Sequence, residues 1–259
     1  NIHNEANCKI EFLIENLKIL DQELSKINIP LTIIDSTGFK DNKDIILNLI
    51  KERSINKVFW NNQFGNDEQN RDDDVTRSFK KNDIEFSSYH EKVIFPPGSI
   101  RTAEDKPYSV FTPFKKKWIE NFYLDLLDIE FKYLSKKKSS IESNVSDFKF
   151  KYKRNHSVDM SMWPPGEAHA KDRLELYLSK NILRYSQDRN DPIIDGTSRI
   201  SPYLANGIIS PKRCILEALK INNFELDTGE KGIAKWIDEI IWREFYKNIM
   251  YCFPKVSQN

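Results

Sequence analysis

Cysteine is scarce in this chain of 259 residues: there are three, Cys8, Cys214 and Cys252, far apart in sequence. A scattered, odd-numbered set excludes a disulfide framework and a cysteine-built metal site. It suits a reducing compartment, so a cytoplasmic protein is expected. The four histidines, His3, His90, His156 and His169, show no ligand spacing, and no metal is expected. No stretch of about 18 apolar residues occurs, which leaves no segment to cross a bilayer as a helix. The polar opening Asn1-Ile-His-Asn-Glu5 does not read as a signal peptide. An excess of one charge is missing as well, since 40 Lys and Arg oppose 39 Asp and Glu, so any nucleic-acid footprint must be local. Over 115–154 eleven Lys or Arg stand against six Asp or Glu, but Lys136-Lys137-Lys138 reads as solvated linker. What is present, 39% hydrophobic and 31% charged residues, is a globular composition, and the length suffices for two domains with separate cores.

Along the chain the apolar period changes. Over 5–27, Ile10, Leu13, Ile14, Leu17, Leu20, Leu24 and Ile27 recur at helical spacing, and Pro30 ends the element. The β-branched run 31–35 precedes Ser36-Thr37-Gly38, the pattern of a buried strand and its turn. Helical spacing returns over 41–53 and 71–82, and strand patterns occupy 57–61 and 84–89. Strands alternating with helices predict a parallel sheet with crossover helices. The loop 61–71 leaves a strand at its C-terminal end, where open α/β sheets take ligands; it reads equally as an ordinary polar loop. After the punctuated, aromatic stretch 106–114 a helix is expected over about 116–134, and 135–163 is Ser- and Lys-rich with little apolar period. From Pro164 only helical patterns recur. The fold class is therefore α/β: a Rossmann-like parallel α/β domain over 1–134, a linker over 135–164, and an all-α domain over 165–259.

The stretch Trp236-Ile-Asp-Glu-Ile-Ile-Trp-Arg-Glu-Phe-Tyr246 organises the second part. Wound at about 100° per residue, it places Trp236, Glu239, Trp242, Arg243 and Tyr246 inside an arc of roughly 120°. Ile237, Ile240, Ile241 and Phe245 form the opposite, core-facing arc. The first arc is either a second buried face, with Glu239 and Arg243 paired at i,i+4, or a surface that stacks on flat rings and holds an anion. Upstream, Gly196-Thr-Ser-Arg-Ile-Ser-Pro202 offers hydroxyls and a Ser-Pro helix start, which reads as a phosphate cradle or as a plain capped turn. Tyr185 and Arg189 stand one helical turn apart.

Taken in series, Tyr185…Arg189, Gly-Thr-Ser-Arg-Ile-Ser and the Trp236–Tyr246 stretch resemble the DNA photolyase and cryptochrome family, and most nearly its bacterial class I members that repair cyclobutane pyrimidine dimers. The resemblance implies an antenna domain lacking its first strand and a helical FAD-binding domain cut short. The chain is then a fragment or eroded form that holds flavin weakly or not at all, with the electron-transfer tryptophans expected downstream and no catalytic residue of its own. It implies FAD diphosphate contacts from Thr197, Ser198, Arg199, Ile200 and Ser201, aided by Tyr185 and Trp236; Arg199 can equally be an ion-pair partner. It assigns Arg189 to the DNA backbone, Trp242 with Tyr246 to the wall behind an extruded dimer, Glu239 to the pyrimidine edge, where burial beside apolar groups would favour its protonated form, and Arg243 to the same DNA-facing stripe. Asp67-Glu68 stands where related enzymes use an Asn-Glu pair to hold a folate antenna (5,10-methenyltetrahydrofolate), and the added carboxylate is expected to weaken that site. The implied activity is light-driven electron transfer from reduced FAD to a pyrimidine dimer, with damaged DNA as partner, no membrane, and a monomer. A cryptochrome-like photoreceptor and a non-catalytic DNA-binding remnant are the alternatives.

Overall fold

The computed structural model describes residues 6–36, 38–127, 137, 140–149 and 159–257. Part of the expected linker, including Lys136 and Lys138, and the last third of the helix expected over 116–134 lie outside the described residues. In order, the helices are α1 (Asn7–Ser25), α2 (Asn42–Glu52), α3 (Asn66–Lys81), α4 (Phe111–Asn121), α5 (Glu167–Lys180), α6 (Tyr185–Asp188), α7 (Ser201–Asn206), α8 (Pro211–Ile221) and α9 (Lys231–Cys252). Strands β1 (Lys57–Asn61) and β2 (Glu85–Tyr89) pair in parallel with Lys57 opposite Glu85. The architecture is α/β, with only helices after residue 165 among the described residues. None of these helices is long and apolar enough to cross a membrane.

The described residues form two compact units interleaved along the chain. One contains 1–35, 129–180 and 198–209; the other contains 36–128, 181–197 and 210–259. These units do not follow the sequence division at 134 and 165, which stands as a proposal about domain organisation.

In the first unit Phe12 of α1 meets Tyr203 of α7 edge-on at 5.5 Å, and the Tyr203 hydroxyl donates to the Pro164 carbonyl at 2.8 Å. The run 31–35 is not a strand, contrary to expectation. It stays extended, but its neighbour is an irregular segment: Ile33 N donates to Asn144 Oδ1 at 2.7 Å, and Asn144 Nδ2 donates to the Ile33 carbonyl at 2.9 Å. One side-chain amide thus satisfies the groups that a neighbouring strand would have paired.

In the second unit, α2 and α3 cover one core with Ile50, Val75 and Phe79 at its centre and Val58, Trp60 and Phe86 from the sheet packed on it. Two of the three expected strands therefore stand. The helix expected from 71 begins at Asn66, and the one expected from 116 begins at Phe111. Pro113 falls in the first turn of α4, where its missing N–H has no intrahelical partner to lose.

Candidate functional site

Helix α9 carries the site of the second unit. Its buried arc holds Ile233, Ile237, Ile240, Ile241 and Phe245, as the period predicts, and also Glu244 and Asn248, which it does not. Of the five residues expected on the opposite arc, Glu239 and Trp242 are half-buried and Tyr246 is 58% exposed. The other two correct the expectation. Trp236 is 2% exposed, and Arg243 is turned inward, where its Nη1 donates to the Lys92 carbonyl at 2.7 Å. Both sit on the margin of the arc that adjoins Ile240, so packing draws them toward the core. Burial lowers the Arg243 pKa, and the neighbouring Glu244 opposes that shift.

Glu239 forms a salt bridge with Arg189, which follows α6. That hydrogen bond raises the Arg189 pKa. The same guanidinium lies over the Tyr185 ring at 5.3 Å, while burial, with Glu239 adding to it, pushes the Tyr185 phenol up. Trp242 stacks on Phe111 of α4 with centroids 3.6 Å apart and planes 10° apart. Tyr246 stacks on Trp242 at 5.6 Å and 27°, and Phe245 meets the indole edge-on. The outcome is an ordered aromatic ladder, Phe111–Trp242–Tyr246, on the helix that also carries one half of a cation–carboxylate pair. A flat ring can lie against the ladder, and the pair can part to take a phosphate and a base edge.

The residues expected around FAD are divided between the units: Tyr185, Thr197 and Trp236 belong to the second, and Ser198, Arg199, Ile200 and Ser201 to the first. Within the first unit Arg199 adopts a left-handed conformation (φ 52°), and its carbonyl accepts from Trp163 Nε1 at 3.0 Å. Ile200 is 3% exposed, so its side chain anchors the turn and its backbone is the part available to a ligand. Ser201 opens α7 at the rim of a hollow of about 680 Å³ lined by Phe12, Leu13, Met160, Trp163 and Pro202.

Residues 1–132 match the sequence profile of the family described as DNA photolyase, which is half of the chain. The chain belongs to the DNA photolyase family. It is 32% identical to the deoxyribodipyrimidine photo-lyase of Buchnera aphidicola subsp. Acyrthosiphon pisum over 99% of this chain and 53% of that protein. It is 29% identical to the deoxyribodipyrimidine photo-lyase of Escherichia coli, again over 99% of this chain and 53% of the relative. Among solved structures, a bacterial class III photolyase from Agrobacterium tumefaciens superposes with a TM-score of 0.81 at 23% identity, covering 96% of this chain and 51% of that one, which shows a shared fold. The chain spans about half the length of the curated relatives it matches.

Photolyase-family proteins generally bind FAD and a folate or deazaflavin antenna. The antenna pair expected in a loop, Asp67 and Glu68, lies instead in the first turn of α3, where carboxylates favour the helix dipole. Asp67 lines a hollow of about 550 Å³ with Asp41 and Asp74 against Lys40 and Arg71. Three carboxylates facing two cations do not favour a ligand that carries carboxylates of its own.

Sequence reasoning missed Glu244. Its carboxylate accepts from Ile94 N at 2.6 Å, Phe95 N at 2.9 Å and Trp118 Nε1 at 2.7 Å, and burial raises its pKa to about 7 against those hydrogen bonds. One turn on, Asn248 Oδ1 accepts from Gly98 N at 2.8 Å, so the two side chains hold the Pro96-Pro97 segment onto α9. The available signal was a carboxylate and an amide at the centre of an apolar arc. Phe111 was missed too, because the 106–114 stretch shows no periodicity that would pair it with a residue 131 positions later.

Proposed function

We propose that this chain is the flavin- and lesion-facing part of a lyase that uses light to split cyclobutane pyrimidine dimers in DNA. The observation that carries the reading is the Phe111–Trp242–Tyr246 ladder beside the Arg189–Glu239 pair. A dimer stacks and pairs poorly, so extruding it costs less than extruding a normal step. Once out, it needs an aromatic wall, and base–aromatic stacking contributes about 1–3 kcal/mol per base. Phe111 fixes the plane of the Trp242 indole in advance, so the wall is ordered before the lesion arrives. Glu239 then hydrogen-bonds the pyrimidine edge while Arg189 turns to the backbone phosphate, each leaving the other for a partner in the substrate.

Within one unit, Ser198 and Ser201 flank the buried Ile200 and offer hydroxyls of the kind that suit the FAD diphosphate. When bound, reduced FAD supplies the light-driven electron chemistry. These hydroxyls hold its diphosphate, and the apolar hollow at Ser201 excludes water from a flat ring. A folate antenna at Asp67 and Glu68 is the part of this reading that the local charge opposes. A cytoplasmic, monomeric protein acting on damaged DNA completes the proposal. A photoreceptor of the same family would keep the flavin but has no task for an ordered wall of Trp242 and Tyr246.

Titration of a thymine-dimer oligonucleotide and its undamaged counterpart, each with the native chain and with Trp242→Ala, tests this. Tighter binding of the damaged strand by the native chain alone is expected. Equal affinity for both strands by the native chain would overturn the repair reading. Absorbance between 350 and 450 nm after incubation with FAD and gel filtration reports flavin retention separately.

A further inference from the structure

Three cationic side chains, Lys92, Arg243 and Lys247, meet in the second unit where the segments leaving β1 and β2 reach α9. Lys247 stands one helical turn after Arg243 on α9. Arg243 Nη1 donates to the Lys92 carbonyl at 2.7 Å, and Lys92 Nζ donates to Gln63 Oε1 at 3.4 Å. Lys247 Nζ lies 4.6 Å from the centroid of the Phe64 ring, and Phe64 follows Gln63, so the contacts close into a ring. Phe64 is buried, and the His90 imidazole lies parallel to it at 6.0 Å.

The half-buried Lys247 is the unusual member of this ring. Among the described residues its ammonium forms no ion pair and rests on the Phe64 face instead. Glu244 is the carboxylate that acts on it, but the Glu244 oxygens already accept from Ile94 N, Phe95 N and Trp118 Nε1. Burial, with Arg243 and Lys92 adding to it and Glu244 opposing, lowers the Lys247 pKa from 10.5 to about 8. Burial also lowers the His90 pKa, so the imidazole brings no further charge at that pH. At pH 8 about half of the Lys247 amine is then neutral, against about 0.3% of an ordinary lysine.

A desolvated amine beside fixed cations is activated as a nucleophile, and the same cations favour an adduct that carries negative charge. Carbon dioxide suits both conditions. It is small and uncharged, so it reaches a half-buried amine past two cations, and its adduct is an anion. We infer that Lys247 is a carbamylation site, where the amine adds carbon dioxide and the resulting carbamate is held by Lys92 and Arg243. The neutral nitrogen bonds to the carbon, one C=O π pair moves onto oxygen, and the nitrogen releases a proton to water. Amine and carbon dioxide thus become a carbamate and a proton, with no oxidant or reductant. The carbamate brings to this ring the carboxylate that Lys247 does not meet in the folded chain, and it ties α9 to the loops after both strands. The inference does not depend on the lesion-binding reading above.

The test is incubation of the chain with carbon-13 bicarbonate at about pH 8, irreversible trapping of carbamates with triethyloxonium, and peptide mapping by mass spectrometry. Native chain, Lys247→Arg and Lys92→Met are compared, each checked by circular dichroism melts. A labelled adduct is expected on Lys247 of the native chain, at an occupancy at least about tenfold above that of the exposed Lys18 and Lys26. Lys247→Arg should carry none at that position, because a guanidinium is not a nucleophile at this pH. Lys92→Met removes one cation, which raises the Lys247 pKa and holds the product less well, so occupancy should fall severalfold. No adduct on Lys247, or one no more occupied than those on Lys18 and Lys26, overturns the inference. An unchanged occupancy in folded Lys92→Met overturns it too, since the cations would then not hold the product. Mapping of the native chain decides the site whether or not either variant folds.

Discussion

Glu239 and Glu244 stand five residues apart on α9, yet the helix turns them to different fates. Glu239 is half-buried and meets a guanidinium brought from fifty residues upstream. Glu244 is 4% exposed and meets two backbone amides and an indole N–H, with its carboxyl pushed up to about 7. The first has a single, partly exposed side-chain partner. The second has fixed partners whose own hydrogen bonds depend on it. The contrast separates a group that solvent can reach from one that fastens the 93–98 segment and Trp118 to α9.

The largest effect should come from removing the fastening. Glu244→Ala leaves two amides and an indole N–H buried without an acceptor, at about 1–3 kcal/mol each. A loss of roughly 3–5 kcal/mol is expected, seen as a melting point lower by about 10 °C. Glu239→Ala, removing one end of a partly exposed ion pair, should cost under about 1 kcal/mol. Equal melting points for the two variants would erase the comparison.

Next comes pH. The Glu244 carboxyl titrates at about 7 in the folded chain against an ordinary 4.5, so folding favours its protonated form. Its contribution is fully present below about 4.5 and is lost as pH rises through 7, at about 1.4 kcal/mol per pKa unit and so about 3 kcal/mol in all. Other carboxylates drift the opposite way, so the measurement is the difference between the native chain and Glu244→Gln in urea melts from pH 4 to 8. A difference that does not change with pH would show that folding leaves the Glu244 pKa where the unfolded chain has it.

Smaller, and confined to recognition, is Trp242→Ala. It should reduce the preference for dimer-containing DNA by about 1–3 kcal/mol, about five- to 150-fold in relative affinity. Phe111→Leu, which keeps the volume but frees the indole plane, should lose a fraction of the same preference with little change in melting point. Smallest is Arg189→Gln: stability is expected to shift by less than about 1 kcal/mol, while the salt slope of DNA binding becomes shallower by about 1. Together these variants sort α9 into a face that can be altered for binding and a face that cannot be altered without unfolding.

Much of the fold was legible because local period reports burial along a single element. Ile10 to Leu24 give α1, Ile45 to Ile50 give α2, and the strand runs at 57–61 and 84–89 pair as expected. The 31–35 run failed because strand propensity does not say what lies alongside, and Asn144 took that place. The α3 start failed because Asn66, Asp67 and Glu68 are polar and read as loop, although acidic residues also suit a first helical turn. At the site, the angular positions of Glu239, Trp242 and Tyr246 were readable from spacing, whereas Trp236 and Arg243 lie on the arc's margin, where the neighbouring elements decide which way they turn.

By itself, then, the sequence determined the helices, the parallel strand pair, the family resemblance and the arc on which a recognition surface could stand, because each is a property of residues close in the chain. Only the tertiary structure decided that Glu239 pairs with Arg189, that Phe111 orders the Trp242 ring, and that Glu244 is a buried fastening. Those outcomes depend on which side chains and backbone groups arrive from 50 to 150 residues away, and a buried polar atom accepts whichever partner reaches it first at hydrogen-bond distance.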